Sequence, residues 1–319
     1  MSGEGQDRAF RGGLYGTDEE NWFAGATSLF RRRYSADASG ADVAVLGIPF
    51  DQAVTNRPGA RFGPRAIRAA STNLAWPGGP WRWPGDPFAT LAVVDTGDVA
   101  ISTGQPHRLA ELVEARASEI LATGARLLSL GGDHFVSYPL LKAHAQKHGP
   151  LGLIQFDSHS DTWIDDGDRL DHGTMFHRAI AEGIVDPSRS TQIGIRSGNA
   201  DTHGVLTIDA DRVVDQTPAA LAAAIRERAG AGPLYLTFDI DFLDPAYAPG
   251  TGTPVCGGPS TNKAERILCA LAGIPIVGMD IVEVSPAYDH AEITALAAAT
   301  MAMAMIGLFG ASPPAVSGR

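Results

Sequence analysis

The sequence has few cysteines and no long basic run, and each shortage excludes a class of protein. Cys256 and Cys269 are its only cysteines, too few for a disulfide framework or a thiolate zinc site. Lys and Arg number 25 against 36 Asp and Glu, which gives a net charge of −11. A chain this acidic, with no basic run beyond residues 31–33, is a poor candidate for binding nucleic acid.

Two further absences concern membranes and export. The first residues lack a basic start followed by an apolar stretch, so no secretory signal is visible and we expect a soluble cytoplasmic protein. Charged residues are missing from 293–318, and the run 293–310 is just long enough to span a membrane. Because this run is rich in Ala and contains Thr294 and Thr300, we predict instead a helix buried on all sides, in the core or at a subunit interface.

From residue 41 onward, short apolar runs alternate with segments of helical period. The apolar runs cover residues 41–50, 91–99, 125–134, 149–159, 191–197, 232–241 and 274–284, and the helical segments cover 107–123, 136–147, 218–229 and 262–271. This alternation is typical of a parallel sheet covered on both faces. We predict one α/β domain over residues 41–319, preceded by an irregular arm over residues 1–40.

Polar side chains follow several of these runs where a strand is expected to end. They are His134, Asp157, His159, Asp161, Asp239, Asp241 and Glu283. Ligands bind outside the carboxyl ends of parallel strands, so these residues predict one site. Any single Asp could instead be a helix N-cap. Four carboxylates without counter-charge would be driven toward protonation, however, and two divalent cations would neutralise them.

The donor set indicates which metals would bind. Carboxylates and imidazoles without thiolates favour hard or borderline ions, with Mn²⁺ first, although zinc, cobalt and nickel fit the same residues. A water between two such ions would lose a proton near neutral pH. The sequence therefore predicts a hydroxide nucleophile at a two-metal site.

Six motifs resemble those of the ureohydrolases, the arginase and agmatinase family. GGDH at 131–134, FDSHSDT at 156–162 and TFDIDFLDPAYAPGTGTP at 237–254 carry the resemblance most strongly. RPGARFGPRAIR at 57–68, DHGTMF at 171–176 and VGMDIVEVSPAYD at 277–289 are similar to the remaining blocks. Within the family the sequence is most similar to the agmatinase branch. The resemblance implies a three-layer α/β/α fold with a central, mainly parallel sheet.

The resemblance also implies a role for each residue. One Mn²⁺ would bind His134, Asp157, Asp161 and Asp239, and the other would bind His159, Asp157, Asp239 and Asp241. His172 would shuttle protons, Glu283 would bind the substrate guanidinium, and Asp161 would also help to stabilise the tetrahedral intermediate. Ser158 and Phe135 depart from the Ala and Ser that many relatives have.

The implied activity is hydrolysis of agmatine to putrescine and urea, a reaction of polyamine biosynthesis. One alternative is that the substrate is another ω-guanidino compound such as 4-guanidinobutyrate, for which a basic residue near the substrate tail is expected. The other alternative is that the chain is a non-catalytic member of the family. The implied partners are a small guanidino substrate and further copies of the chain, in a hexamer of three-fold symmetry, with no nucleic acid and no membrane. Four tryptophans, at 76, 81, 83 and 163, are predicted to lie near the site mouth, where they pack or contact the substrate tail.

Overall fold

The computed structural model describes residues 7–16, 21, 23–76, 79–102, 104–164, 169–199 and 201–312. Its strands are β1 (Arg33–Tyr34), β2 (Val43–Gly47), β3 (Val93–Asp98), β4 (Arg126–Leu130), β5 (Gly152–Phe156), β6 (Thr191–Ile195), β7 (Leu206–Asp209), β8 (Leu234–Asp239) and β9 (Ile276–Val282). Its α-helices are α1 (Arg8–Arg11), α2 (Gly63–Ser71), α3 (Leu109–Ala122), α4 (Ser137–His148), α5 (Met175–Ala181), α6 (Ala210–Asp215), α7 (Pro218–Ala229), α8 (Thr261–Ala270) and α9 (Ile293–Ala311).

The strands form one sheet in the order β1-β3-β2-β4-β9-β8-β5-β6-β7, and every pairing is parallel. The predicted three-layer α/β/α fold is confirmed. Strands β2, β5, β6, β8 and β9 are buried along their whole length, which explains their continuous apolar runs.

Two hydrophobic clusters cover the two faces of the sheet. Along β8, Tyr235 belongs to one cluster and Leu236 to the other, as the two-residue period of a strand requires. Helices α3, α4 and α5 contribute to the first cluster, and α2, α7, α8 and α9 to the second. The sheet therefore has a helical layer on each face and leaves the ends of its strands for a site.

Helix α9 is the uncharged segment whose surroundings the sequence left open. Among the described residues it is the one helix long and apolar enough to cross a membrane, yet 78% of its most apolar window is buried. It packs between α2 and α8 over β4 and β9, so it is a core helix of this chain. That burial removes the reason to require a second subunit against it. Residues 313–318 of the uncharged run lie outside the described residues.

Some elements carry no clear sequence signal. Strand β1 has two residues, and β7 is only partly buried, so neither has an apolar run. Strand β1 pairs with β3 and thus joins part of the first forty residues to the sheet. The division of the chain at residue 40 stays a prediction.

Four neighbouring strands at the centre of the sheet position the predicted site. In spatial order these are β4, β9, β8 and β5. His134 lies just beyond β4 and Glu283 follows β9 directly, while Asp239 ends β8 and Asp157 follows β5. Because the strands are parallel, these four side chains meet at one edge.

Candidate active site

His134 lies in a buried turn that a close backbone approach positions. A Cβ on Gly132 would be 1.7 Å from the carbonyl oxygen of Phe50, so only glycine fits there. The His134 Nδ1 atom lies 3.1 Å from Asp157 Oδ2, 2.9 Å from an Asp161 oxygen and 3.2 Å from an Asp239 oxygen. Within the described part of the chain, Nδ1 nevertheless has no hydrogen-bond partner. We call these four residues the inner cluster.

The spacing in the inner cluster suits a shared cation. Ligands about 2.1 Å from one ion, at right angles to one another, are on the order of 3 Å apart. The three distances from Nδ1 match this separation, and an unpartnered buried nitrogen is a group that requires an explanation. The residues present therefore fit a divalent ion.

A second set of donors, the outer cluster, consists of Asp157, His159 and Asp241. Its ligand atoms lie within 4.8 Å of one another. His159 Nδ1 is 3.1 Å from Asp241 Oδ2 and 3.6 Å from Asp157 Oδ1. Asp157 thus belongs to both clusters. Asp239 also accepts a hydrogen bond from the Asp241 amide at 2.8 Å. One of its oxygens therefore acts as the N-cap that was the alternative to a metal ligand, while the other faces His134.

Ser158, one of the two departures from the family pattern, contacts the outer cluster directly. Its hydroxyl donates to Asp241 Oδ1 at 2.7 Å and lies 3.0 Å from His159 Nδ1. Its backbone N–H donates to the same Asp241 oxygen at 3.1 Å. An alanine at this position would keep only the backbone hydrogen bond.

The clusters perturb the pKa values of their own members. Burial, together with the charge of Asp157, raises the pKa of Asp161 to about 7. Burial and the charges of Asp241 and Asp157 raise the pKa of Asp239 well above its usual range. Burial opposes protonation of His134, but the carboxylates around it raise its pKa well above the usual value. Asp161 and Asp239 thus hold protons more tightly than ordinary carboxylates in the absence of a cation, and a divalent ion would displace those protons.

Backbone strain occurs at two of the predicted site residues. Asp161 has a φ of 51° and Glu283 a φ of 65°. Both values lie in the left-handed region, which residues other than glycine rarely adopt. Such conformations concentrate at functional sites, where the surrounding structure holds them. Both residues contribute a carboxylate to the site, Asp161 near His134 and Glu283 near His172.

His172 and Glu283 form a pair beside the inner cluster. His172 Nδ1 is 2.8 Å from Glu283 Oε1, and the same oxygen accepts the His134 amide at 2.8 Å. The Thr55 amide donates to His172 Nε2 at 3.0 Å, so the neutral ring carries its proton on Nδ1. Burial would lower the pKa of His172, but the Glu283 carboxylate outweighs it and raises the pKa to about 9. Glu283 Oε2 has no hydrogen-bond partner among the described residues.

The structure thus brings all eight predicted residues together, and it adds supporting residues that the sequence analysis did not single out. His134 Nε2 contacts the Thr237 hydroxyl at 2.8 Å, which donates to Asp280 at 2.5 Å. Gln155 donates to Asp157 Oδ2 at 2.8 Å. These residues are polar positions inside strands that are otherwise apolar, and that exception is the signal that identifies them.

A cavity of about 380 Å³ opens onto the site. Its walls include Thr55, His159, Asp161, Trp163, Arg169, Asp171, His172, Gly173, Thr174, Asp239 and Thr253. Trp163 therefore lies where the sequence predicted. For Trp81 and Trp83 that prediction is wrong, because their segment runs beside α8 and α9 rather than along the edge of the sheet that carries the site. Trp83 packs on Gly307, where a Cβ would lie 2.5 Å from the indole.

Two adjoining carboxylate and histidine clusters at the end of a parallel sheet, beside a Glu–His pair, are the arrangement of a two-metal hydrolytic site. The profile described as the Arginase family matches residues 41–307 of the chain. The chain belongs to the arginase family.

Individual relatives narrow the comparison. The agmatinase of Chromobacterium violaceum is 52% identical over 300 residues, which cover 93% of each chain. The crystal structure of a hypothetical agmatinase from Burkholderia thailandensis has a TM-score of 0.93 and 49% identity, covering 96% of this chain and 98% of that one. Proclavaminate amidino hydrolase from Streptomyces clavuligerus has a TM-score of 0.86 and 36% identity, covering 91% and 99%.

Proposed function

We propose that this protein is a ureohydrolase of the agmatinase type, which hydrolyses agmatine to putrescine and urea. The observation that carries the proposal is the unpartnered His134 Nδ1 facing three carboxylates, next to the Glu283–His172 pair. The agmatinase names of relatives at about half identity support the same substrate. Water adds to the guanidinium carbon of agmatine and the bond from that carbon to the chain nitrogen breaks. The products are neutral urea and putrescine, whose newly formed amine takes up a proton to become an ammonium.

The metal ligands in this proposal are the members of the two clusters: His134, Asp157, His159, Asp161, Asp239 and Asp241. Two bound ions would supply a water of lowered pKa as the nucleophile. We propose Mn²⁺ as the physiological ion because the set is rich in carboxylates, although zinc, cobalt or nickel would fit the same donors. Elemental analysis of the purified active protein tests both the identity and the number of ions.

Glu283 would hold the guanidinium group of the substrate. Its Oε1 accepts from His134 and His172, which fixes the carboxylate, while Oε2 has no partner in the described part of the chain. A planar guanidinium offers N–H groups that pair well with a carboxylate. Binding at Oε2 would leave the existing hydrogen bonds of Oε1 intact.

His172 would carry the proton that the leaving amine needs. Its Nδ1 is the atom that faces Glu283, so it lies beside a guanidinium held there. The hydrogen bond from Thr55 to Nε2 keeps the ring in this orientation. Asp161, 2.9 Å from His134 Nδ1 in the inner cluster, would also accept a hydrogen bond that helps to stabilise the tetrahedral intermediate.

An alternative substrate, 4-guanidinobutyrate, receives support from one observation. Arg169, a basic residue, lines the cavity, and a basic residue near the tail is what the guanidino acid would require. Its ion pair with Asp171 at 2.9 Å complicates that interpretation. For the assembly, we propose a cytoplasmic homohexamer, which sedimentation of the purified protein tests.

The activity is tested by urea release from agmatine, 4-guanidinobutyrate and arginine, measured on protein of known metal content. We expect agmatine to give the highest kcat/KM. The matched variant is Glu283→Gln, which should keep its metals. Its kcat/KM should fall by an amount equivalent to about 2–5 kcal/mol of transition-state stabilisation, because one partner of a desolvated charge pair is removed. Metal-loaded protein that releases no urea from any guanidino compound would refute the proposed function and leave the non-catalytic alternative.

A further inference from the structure

One wall of the cavity is formed by three residues that hold one another in place. The Gly173 amide donates to Asp171 Oδ1 at 2.8 Å, and the Trp163 amide donates to the Gly173 carbonyl at 3.1 Å. The Trp163 ring lies so close to Gly173 that a Cβ there would be 3.3 Å from it. The indole and the Asp171 carboxylate therefore belong to one rigid part of the wall.

This wall flanks the reacting groups on two sides. Asp171 directly precedes His172 in the chain, and the Trp163 ring centroid is 6.4 Å from that of His159, at 50° between the planes. Trp163 and Asp171 are therefore among the cavity residues that the tail of a bound substrate could contact.

The two charges that the cavity wall carries beyond the clusters and His172 are held very differently. The Asp171 side chain is 11% exposed and is fixed by the Gly173 amide. The Arg169 side chain is 57% exposed, and its Nη2 lies 2.9 Å from Asp171 Oδ2. An ion pair with so exposed a partner is weak. The anion is the permanent feature of the wall, and the cation can move away into solvent.

We propose that Asp171 binds the ammonium end of the substrate, with Trp163 providing an aromatic face for the same cation. Arg169 occupies the position of that ammonium when no substrate is bound. Aromatic faces and carboxylates together favour organic cations. A carboxylate tail would meet the fixed charge of Asp171 and be repelled. The inference rests on the proposed function and deepens it, because it assigns the choice of a cationic tail to one residue.

The test compares substrates that differ only at the tail: agmatine, butylguanidine, which has an uncharged tail, and 4-guanidinobutyrate. The variant is Asp171→Asn, in which Oδ1 still accepts the Gly173 amide. On holoenzyme of measured metal content we expect the KM for agmatine to rise at least ~10-fold, because the variant cannot pair with the ammonium. The kinetics with butylguanidine should change less than ~3-fold, since its tail has no charge to lose.

Arg169→Ala is the matched control. It removes the competing cation but leaves the carboxylate, so we expect a lower KM for agmatine. If Asp171→Asn lowered kcat/KM equally for all three substrates, the residue would only support His172. If the kinetics with agmatine were unchanged, the tail would bind elsewhere. Either result overturns the proposal.

The outcome is separable from that of the proposed function. If the wild-type protein hydrolyses no agmatine, calorimetry still measures how much more tightly it binds agmatine than butylguanidine. Loss of that preference in Asp171→Asn would support the ammonium site without catalysis. Equal affinities for the two compounds in the wild type would overturn it.

Discussion

The inner and outer clusters share Asp157 but hold their histidines in opposite ways. The His134 side chain is 1% exposed, and its Nδ1 faces three carboxylates without a hydrogen bond from any described residue. The His159 side chain is 18% exposed, and its Nδ1 already lies 3.0 Å from the Ser158 hydroxyl. An ion in the outer cluster must therefore displace the Ser158 hydroxyl from His159 Nδ1, whereas an ion in the inner cluster breaks no hydrogen bond of His134 Nδ1. We expect the inner ion to bind more tightly.

The largest effect is expected at the residue that the clusters share. Asp157→Ala should lose both ions and reduce kcat/KM by more than ~10⁴-fold, because a metal-activated nucleophile disappears with them. Elemental analysis after gel filtration measures the loss. Asp211→Ala, which removes an exposed carboxylate in the first turn of α6, should change neither quantity. Retention of one tightly held ion by Asp157→Ala would show that the clusters are independent.

The two histidines provide the direct test of the difference in affinity. His159→Ala should keep one tightly bound ion and lose the other, whereas His134→Ala should lose the tight one. Replacing a ligand should weaken its ion by more than ~100-fold, since even supporting residues contribute 10–100-fold. Titration with a competing chelator resolves the two affinities. Equal affinities in the wild type would contradict the inferred order.

His144 sharpens the comparison because it is a buried histidine whose pKa is not raised by any carboxylate of the described residues. It lies in α4, its Nδ1 is 2.7 Å from the Leu140 carbonyl, and burial lowers its pKa to about 4. The unfolded chain, with a histidine pKa near 6.5, binds this proton first. Stability is therefore retained above pH 6.5 and falls as the pH drops from about 6.5 toward 4.

The expected loss from His144 between pH 7 and pH 5 is about 2 kcal/mol in the free energy of unfolding. Urea denaturation at the two pH values measures it. His144→Leu should lose less stability over the same interval than the wild type, and His107→Leu, at an exposed position, should behave as the wild type does. A wild-type protein that is equally stable at both pH values, with metal content held constant, would contradict the prediction.

The smallest effect is expected at Ser158. Ser158→Ala removes the hydroxyl contact to Asp241 but keeps the backbone hydrogen bond to the same oxygen. The outer ion should therefore bind more weakly by about 1 kcal/mol, the usual contribution of one hydrogen bond. The inner ion should be unaffected. A chelator titration in which both affinities change together would place the hydroxyl's influence elsewhere.

The sequence predicted the sheet and seven of the eight site residues for a physical reason, whereas His172 was predicted only from the family resemblance. Residues such as Asp157 and Asp239 follow apolar runs directly, so the local pattern already places them at strand ends. What it could not supply is contact between distant segments. Thr237 and Asp280 meet only because their strands pair in that register, and Thr55 reaches His172 across 117 positions of the chain. Trp83 looked like a residue of the site mouth until its packing on α9 was known.

The position of β9 in the sheet has a consequence for how the protein is made. Strands β1 to β4 lie on one side of β9 and β5 to β8 on the other, so within the sheet the two halves join only through β9, the last of the described strands. A ribosome completes both halves before it synthesises the strand that joins them. The turn that carries His134 belongs to the first half, whereas Asp157 and Asp239 belong to the second. We therefore expect the inner cluster, which takes residues from both halves, to form only after β9 has been synthesised between them.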